Sequence, residues 1–437
     1  MKKVNIFWFR RDLRIHDNAG LYAALASNLP VVPVFIFDKI ILDKLDEKKD
    51  ARIEFIRINL VFIQNELKKR GLSIEVYYGN PIDVFELLTD EYDVQTVFTN
   101  HDYESYAIER DNLVKIFLNS TQIGFKTYKD QVIFEKDEVV KDDRKPYTIF
   151  TPFSNKWKSL LSDANLKTYP VEELLDNFLK QPAREIPSLK SFGFGETGMK
   201  FPSKSPSEII IEHYDKTRNY PAIDGTSRLG LHLRFGTISI RELAAKARKL
   251  NDTFLYELIW REFYMSILWH FPHVGHSKAF KPEYDNILWR NNEEEFAKWC
   301  LGQTGYPIVD AGMRQLNGTG YMHNRVRMIS ASFLCKDLLI DWRWFEAYFA
   351  AKLLDFDLAA NNGGWQWAAG SGCDAAPYFR IFNPELQTKK FDENFIYIKK
   401  WVPEFPGPSY PKPNVDNAMA KERCLKVYKE VLTQKRM

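Results

Sequence analysis

The chain has 437 residues, 45% of them hydrophobic and 27% charged, with a formal net charge of +3. That length exceeds one ordinary core and predicts two domains, and the composition is that of a soluble globular protein. No apolar run approaches the ~20 residues that span a bilayer, which excludes a membrane protein of the helical kind, and the charge is too near neutral to mark a nucleic-acid partner except through a local basic patch.

The N-terminal MKKVNIFWFRRDLRIHD breaks its apolar run with charges almost at once, so it reads as a first strand rather than a signal peptide. VNIFWF at 4–9, VVPVFIF at 31–37, IEVYYG at 74–79 and TVFTN at 96–100 are short, β-branched and aromatic, and read as buried strands. A helical pattern over 52–71, with basic residues in its last turn and Gly71 after it, lies between two of them. Strand–helix alternation implies a doubly wound parallel sheet, whose ligands bind at the C-terminal strand ends. No GxGxxG is present. From about 130 to 200 the periodicity is lost, and the stretch reads as a long connector. Beyond 201 the chain turns helical, with 239–250, 252–271 and 293–302 each starting near Ser, Asp or Asn. Residues 420–437 read as a terminal amphipathic helix. The expected organisation is an α/β domain over 1–130, a connector over 131–200 and an all-α domain over 201–437.

The four cysteines, Cys300, Cys335, Cys373 and Cys424, show no CxxC spacing and no metal register. They read as small core residues of a reduced, cytoplasmic protein, and no metal is expected. Of 11 tryptophans only Trp8 and Trp157 precede residue 201, so the two halves serve different ends.

Several segments of the helical half combine polar and aromatic residues. Gly225 followed by Thr226, Ser227 and Arg228 reads by itself as a plain helix start, although such a start can seat a phosphate. Glu257 and Trp260 in ELIWREFY share one helical face, which alone reads as a core indole beside a surface Glu–Arg pair. MHNRVRM (322–328) offers Asn324, an amide that donates and accepts, and Arg325, a phosphate clamp, with Met328 as a soft filler. DFDLAANNGGWQW (355–367) crowds Asp355, Asp357, Asn361 and Asn362 with Trp365 and Trp367. Large indoles and polar groups share a segment in this way when they surround something flat and polar.

These motifs resemble the flavin-binding core of the DNA photolyase/cryptochrome family, and in detail the class I photolyases that repair cyclobutane pyrimidine dimers. The match is dense from 214 to 384 and looser before 200, apart from WFRRDLRIHDN at 8–18. The resemblance implies an α/β, Rossmann-like antenna domain and an all-α domain that binds FAD. It implies that Tyr214, Thr226, Ser227, Arg228, Leu229 and Gly230 hold the FAD, joined by Phe254, Trp260, Arg261, Asn324, Arg327, Asp355, Phe356, Asp357 and Asn361. Arg261 would face the phosphates, Arg327 would pair with Asp355, and Asn361 would face flavin N5. Asparagine there, where plant-type cryptochromes carry aspartate, points to a repair enzyme.

The resemblance places the flipped-out dimer between Trp260 and Trp367, with Glu257, Asn324, Arg325 and Met328 around it. Stacking on an indole contributes about 1–3 kcal/mol per base. Arg218, Arg325, Arg380, Lys389 and Lys390 would form the basic patch that grips DNA phosphates. Trp365, Trp342 and Trp289 match the family's electron-transfer triad, although by themselves they read as core. The implied activity is light-driven splitting of the dimer by an electron from reduced FAD, in a monomer acting on DNA. The antenna stays open. Folate-binding members carry an Asn–Glu pair where this chain has Tyr106 and Ala107, so folate, a deazaflavin, a flavin or none remain alternatives. The rival functions are a cryptochrome-like photoreceptor and a dark flavoprotein.

Overall fold

The structure is a computed structural model and describes residues 1–375 and 377–433. It comprises two compact units that interleave along the chain. The first gathers Met1–Glu135, Leu160–Ser205 and Arg228–Lys249, and the second gathers Lys136–Ser159, Pro206–Ser227 and Leu250–Met437. The stretch read as a connector contributes to both, and it contains a helix, Phe150–Leu160, that the sequence did not reveal.

The first unit is built on five parallel strands, β1 (Lys2–Phe9), β2 (Val31–Asp38), β3 (Glu75–Gly79), β4 (Tyr92–Asn100) and β5 (Gly124–Tyr128), in the order β3-β2-β1-β4-β5. All eight residues of β2 are buried, as a sheet covered on both faces requires. Helices Ala19–Leu25, Ala51–Lys68, Pro81–Glu91 and Ser105–Ser120 separate the strands, so the α/β expectation holds. β5 went unread because GFKTY is a half-exposed edge strand without an apolar alternation. Past β1, the RRDLRIHDN segment is fixed by a buried charge cluster. Arg14 and Arg241 both bind Asp130, at 2.8 Å each, and Arg241 also binds Asp17 at 3.0 Å. Each buried carboxylate thereby has a paired guanidinium, which offsets desolvation.

The second unit is helical. Its helices Asp252–His270, Glu293–Leu301, Trp342–Lys352 and Leu358–Ala369 start at Asn251, Asn292, Asp341 and Asp357, whose side chains accept from the first-turn N–H groups. Trp299, Phe333, Phe345, Phe349 and Trp365 lie in its main core cluster. Gly363 lets two of these helices touch, because a Cβ there would stand 2.1 Å from the Tyr264 ring. Cys335, Cys373 and Cys424 are buried and Cys300 is half-buried, all with free thiols. The terminal helix runs Asn417–Thr433, and the last residues of the segment read as helical lie outside the described ones. Among the described residues no helix is long and apolar enough to cross a membrane.

Candidate functional site

The Asp252–His270 helix carries the first group of predicted residues. Phe254 sits in its first turn, buried, with the Tyr214 ring packed edge-on against it at 5.1 Å. Glu257, one turn on, accepts a hydrogen bond from Arg218, whose guanidinium lies 5.3 Å over the Tyr214 ring. Burial raises the Glu257 carboxyl above its ordinary 4.5, against the pull of Arg218. The same burial raises Tyr214. Tyr214, Arg218, Phe254 and Glu257 thus form one cluster, although Arg218 and Glu257 were assigned separate roles.

Trp260 follows on the helix. Its ring stacks on Phe150, with centroids 3.6 Å apart and planes 6° from parallel. Phe150 therefore covers one indole face, and only the opposite face remains for a ligand. Among the described residues Trp260 and Trp367 make no ring contact, and both are half-buried. Arg261, next to Trp260 in the chain, is also half-buried.

The Asn324–Ser332 helix carries the second group. Asn324 is exposed at its first position. Arg325 donates to the Asn219 side chain at 2.6 Å, reaches the Met328 sulfur at 3.8 Å and lies 4.5 Å over the Phe391 ring. Its charge is disfavoured first by burial and then by Arg218 nearby. Lys390 also lies over Phe391, at 5.3 Å, and Lys389 is exposed beside it. Arg325 and Lys390 thus share the Phe391 ring, with the Arg218 charge near Arg325 and Lys389 next to Lys390 in the chain. Arg380 is exposed and is not tied to that group by any contact among the described residues.

Arg327 reaches Asp355 at 3.4 Å, the pairing the sequence led us to expect. Phe356 is half-buried next to it. Asp357 is not a free ligand arm: it caps the Leu358–Ala369 helix by accepting from the Ala360 N–H at 3.2 Å. Asn361, buried one turn later, accepts from the Trp365 indole N–H at 3.1 Å and donates to the main-chain oxygen of Glu346 at 3.4 Å. Trp365 and Trp342 are buried, while Trp289, the expected outer member of the triad, is partly exposed. Trp365 packs on Phe345 and Phe349 at 5.0 and 4.8 Å.

The plain helix start expected at Gly225–Arg228 is not found. Arg228 has φ +53°, a left-handed conformation that interrupts a helical path, and the helix begins only at Gly230. The Thr226 hydroxyl meets the Tyr321 hydroxyl at 3.0 Å, and Ser227 is half-buried beside it. Arg228, Leu229 and Gly230 belong to the first unit, where Leu229 is buried.

The chemistry of these residues fits a flavin dinucleotide. The Nε atom of Arg327 is buried without a hydrogen-bond partner among the described residues, which an anionic group would supply. Aromatic faces, hydroxyls and amides complete the requirement. Sequence reasoning missed Phe150, Asn219, Tyr264, Tyr321, Glu346 and Phe391. Tyr264 lies one turn after Trp260 on the same helix, and the others carry no local signal because each reaches its partner from a distant segment.

Residues 254–407 match the family model described as the FAD binding domain of DNA photolyase, and residues 5–172 match that of DNA photolyase. A deoxyribodipyrimidine photo-lyase of Synechococcus sp. is 38% identical over 427 residues, covering 91% of this chain and 87% of its own length. That of Escherichia coli is 35% identical, covering 97% and 98%. Among solved structures, a bacterial class III photolyase from Agrobacterium tumefaciens superposes with TM-score 0.87 at 32% identity, covering 99% of this chain and 98% of that one. An archaeal photolyase from Sulfolobus tokodaii, solved with two FAD molecules, gives 0.80 at 34%, covering 98% and 99%.

Proposed function

Because the chain belongs to the DNA photolyase family, as an enzyme with an FAD-binding domain, we propose that it splits cyclobutane pyrimidine dimers in DNA with light. The observation that carries this reading is the Arg218–Glu257 pair beside Trp260, whose Phe150-backed ring keeps one face for a flat ligand.

Tyr214, Thr226, Ser227, Arg228, Leu229, Gly230, Phe254, Trp260, Arg261, Asn324, Arg327, Asp355, Phe356, Asp357 and Asn361 would hold the FAD. Bound and reduced, it supplies an electron under light and recovers it, so the dimer loses two carbon–carbon bonds without net oxidation. Arg218, Arg325, Lys389 and Lys390 meet the DNA phosphates, and Arg380 extends that patch, so binding weakens steeply with salt. A dimer stacks and pairs poorly, so its extrusion costs less than that of an intact pair. Trp260 and Trp367 wall the extruded dimer, with Asn324 and Met328 between them and the flavin. Glu257 hydrogen-bonds the pyrimidine and stabilises charge that develops on it. Trp365, Trp342 and Trp289 carry electrons inward to restore the reduced state.

The test is blue light on the purified, reduced protein with an oligonucleotide bearing one thymine cyclobutane dimer, against a dark control. Intact thymines that rise only under light support the reading. No rise, with FAD bound and photoreducible, overturns it in favour of a photoreceptor.

A further inference from the structure

One ionisable group in the second unit has no part in the scheme above. Glu346 sits in the middle of the Trp342–Lys352 helix, among the segments that frame Asn361. Its Oε1 accepts from Asn362 Nδ2 at 2.9 Å, and its main-chain oxygen accepts from Asn361 Nδ2 at 3.4 Å. Both amides of the adjacent pair therefore point their N–H groups at one residue. The arrangement continues on the far side. Asn361 Oδ1 takes the Trp365 N–H at 3.1 Å, and Asn362 Oδ1 takes Gln366 Nε2 at 2.9 Å.

The charged groups around Glu346 do not neutralise it. Arg343, three residues earlier on the same helix, is held by Asp285 and Asp341 and by the main-chain oxygen of Ser277. On the neighbouring Pro272–His276 turn, whose Val274 oxygen also accepts from Asn362, His273 and His276 are exposed and make no bond to Glu346. Lys278 and Lys281 make no bond to it either. Lys278 contributes its main-chain oxygen to Gln366, and the Lys281 ammonium lies at the Gly370 oxygen. Among the described residues Glu346 has no cation within ion-pair distance. A carboxylate so placed is costly, whereas the neutral acid is not.

We propose that Glu346 is the ionisable group that sets the charge beside the bound flavin, its carboxyl held by the Asn362 amide while its main-chain oxygen holds that of Asn361. The proposal rests on the reading in which Asn361 faces the flavin. Burial, opposed by the Asn362 hydrogen bond and by Arg343, pushes this carboxyl up to about 7. Below that pH Glu346 is neutral and tolerates an anionic reduced cofactor. Above it the carboxylate opposes that anion, and the reduced state becomes harder to reach. Glu346 acts as a positioning and charge-setting residue, since it touches the amides and not the reacting atoms.

The experiment compares the FAD-loaded parent with Glu346→Gln, an isosteric change that still accepts from Asn362. Two readouts are taken from about pH 5 to about pH 9. Infrared difference spectra follow the carboxylic-acid carbonyl band, and a redox titration follows the flavin potential. We expect a band present at low pH, lost with a midpoint near 7 and missing in Glu346→Gln. We also expect an extra fall of the potential above the midpoint in the parent alone. No Glu346-dependent band, or the same extra fall in Glu346→Gln, overturns the proposal. A third protein, Asn361→Asp, separates the two readings. An unchanged flavin absorption spectrum in it refutes the placement of the flavin at Asn361, whereas the infrared band reports on Glu346 alone.

Discussion

The Trp260 indole lies flat against Phe150, 3.6 Å away and within 6° of parallel, so a residue from the connector backs the ring that the sequence marks as a ligand platform. A platform needs rigidity to stack a base without a large ordering cost, and Phe150 supplies it from behind. Phe150→Ala should cost about 3 kcal/mol of stability as a buried aromatic truncation. It should also weaken binding of dimer-bearing DNA more than binding of undamaged DNA. Thermal unfolding and paired titrations check both. Equal weakening on the two DNAs would remove Phe150 from lesion recognition.

Glu257 gives a pH prediction with a definite sign. Burial raises its carboxyl above the ordinary 4.5, so the folded state prefers the protonated form. Its contribution is most favourable below 4.5 and declines as pH rises through the raised value. Glu257→Gln removes that decline, so its stability relative to the parent should improve as pH goes from about 4 to about 7. The same variant should lower repair per absorbed photon several-fold. Denaturant unfolding at several pH values and a quantum-yield measurement are the checks.

Arg325 binds Asn219 and covers Phe391, which orients its guanidinium within a basic group. Arg325→Ala should weaken DNA binding and reduce the slope of log affinity against log salt by about 1. Arg380→Ala should do less, because Arg380 stands apart from that group. Titrations at several salt concentrations separate the two.

Trp342 is buried in the core cluster that also contains Trp365. Trp342→Phe should abolish light-driven reduction of the oxidised flavin while leaving repair by chemically reduced protein intact. Absorption changes under illumination, with and without chemical reductant, test this. Photoreduction at the parental rate would exclude the proposed row.

Gly363 brings the Leu358–Ala369 helix against Tyr264. Gly363→Ala places a methyl group 2.1 Å from that ring, so the helices must part, at a cost of about 1–3 kcal/mol. Bound FAD per protein should fall together with the melting temperature. Gly364, whose Cβ would meet nothing within 4 Å, is the control, since alanine there should lower neither.

Four of the five strands and the long helices were legible in the sequence because each pattern is local. Apolar runs of the right length, Gly71 after a helix and caps such as Asn251 and Asn292 act within a few residues. Spacing within a motif was legible for the same reason, since ELIWREFY lies on one helix and residues 358–367 of DFDLAANNGGWQW lie on another. Only the tertiary structure decided the rest. It turned Asp357 into a helix cap and bound Arg218 to Glu257 across 39 positions. It set Phe150 behind Trp260 and gathered the amides of Asn361 and Asn362 onto Glu346. The physical reason is range. Propensity, capping and periodicity are written in neighbouring residues, whereas stacking, desolvation and hydrogen-bond satisfaction depend on which distant segments packing brings within a few ångströms.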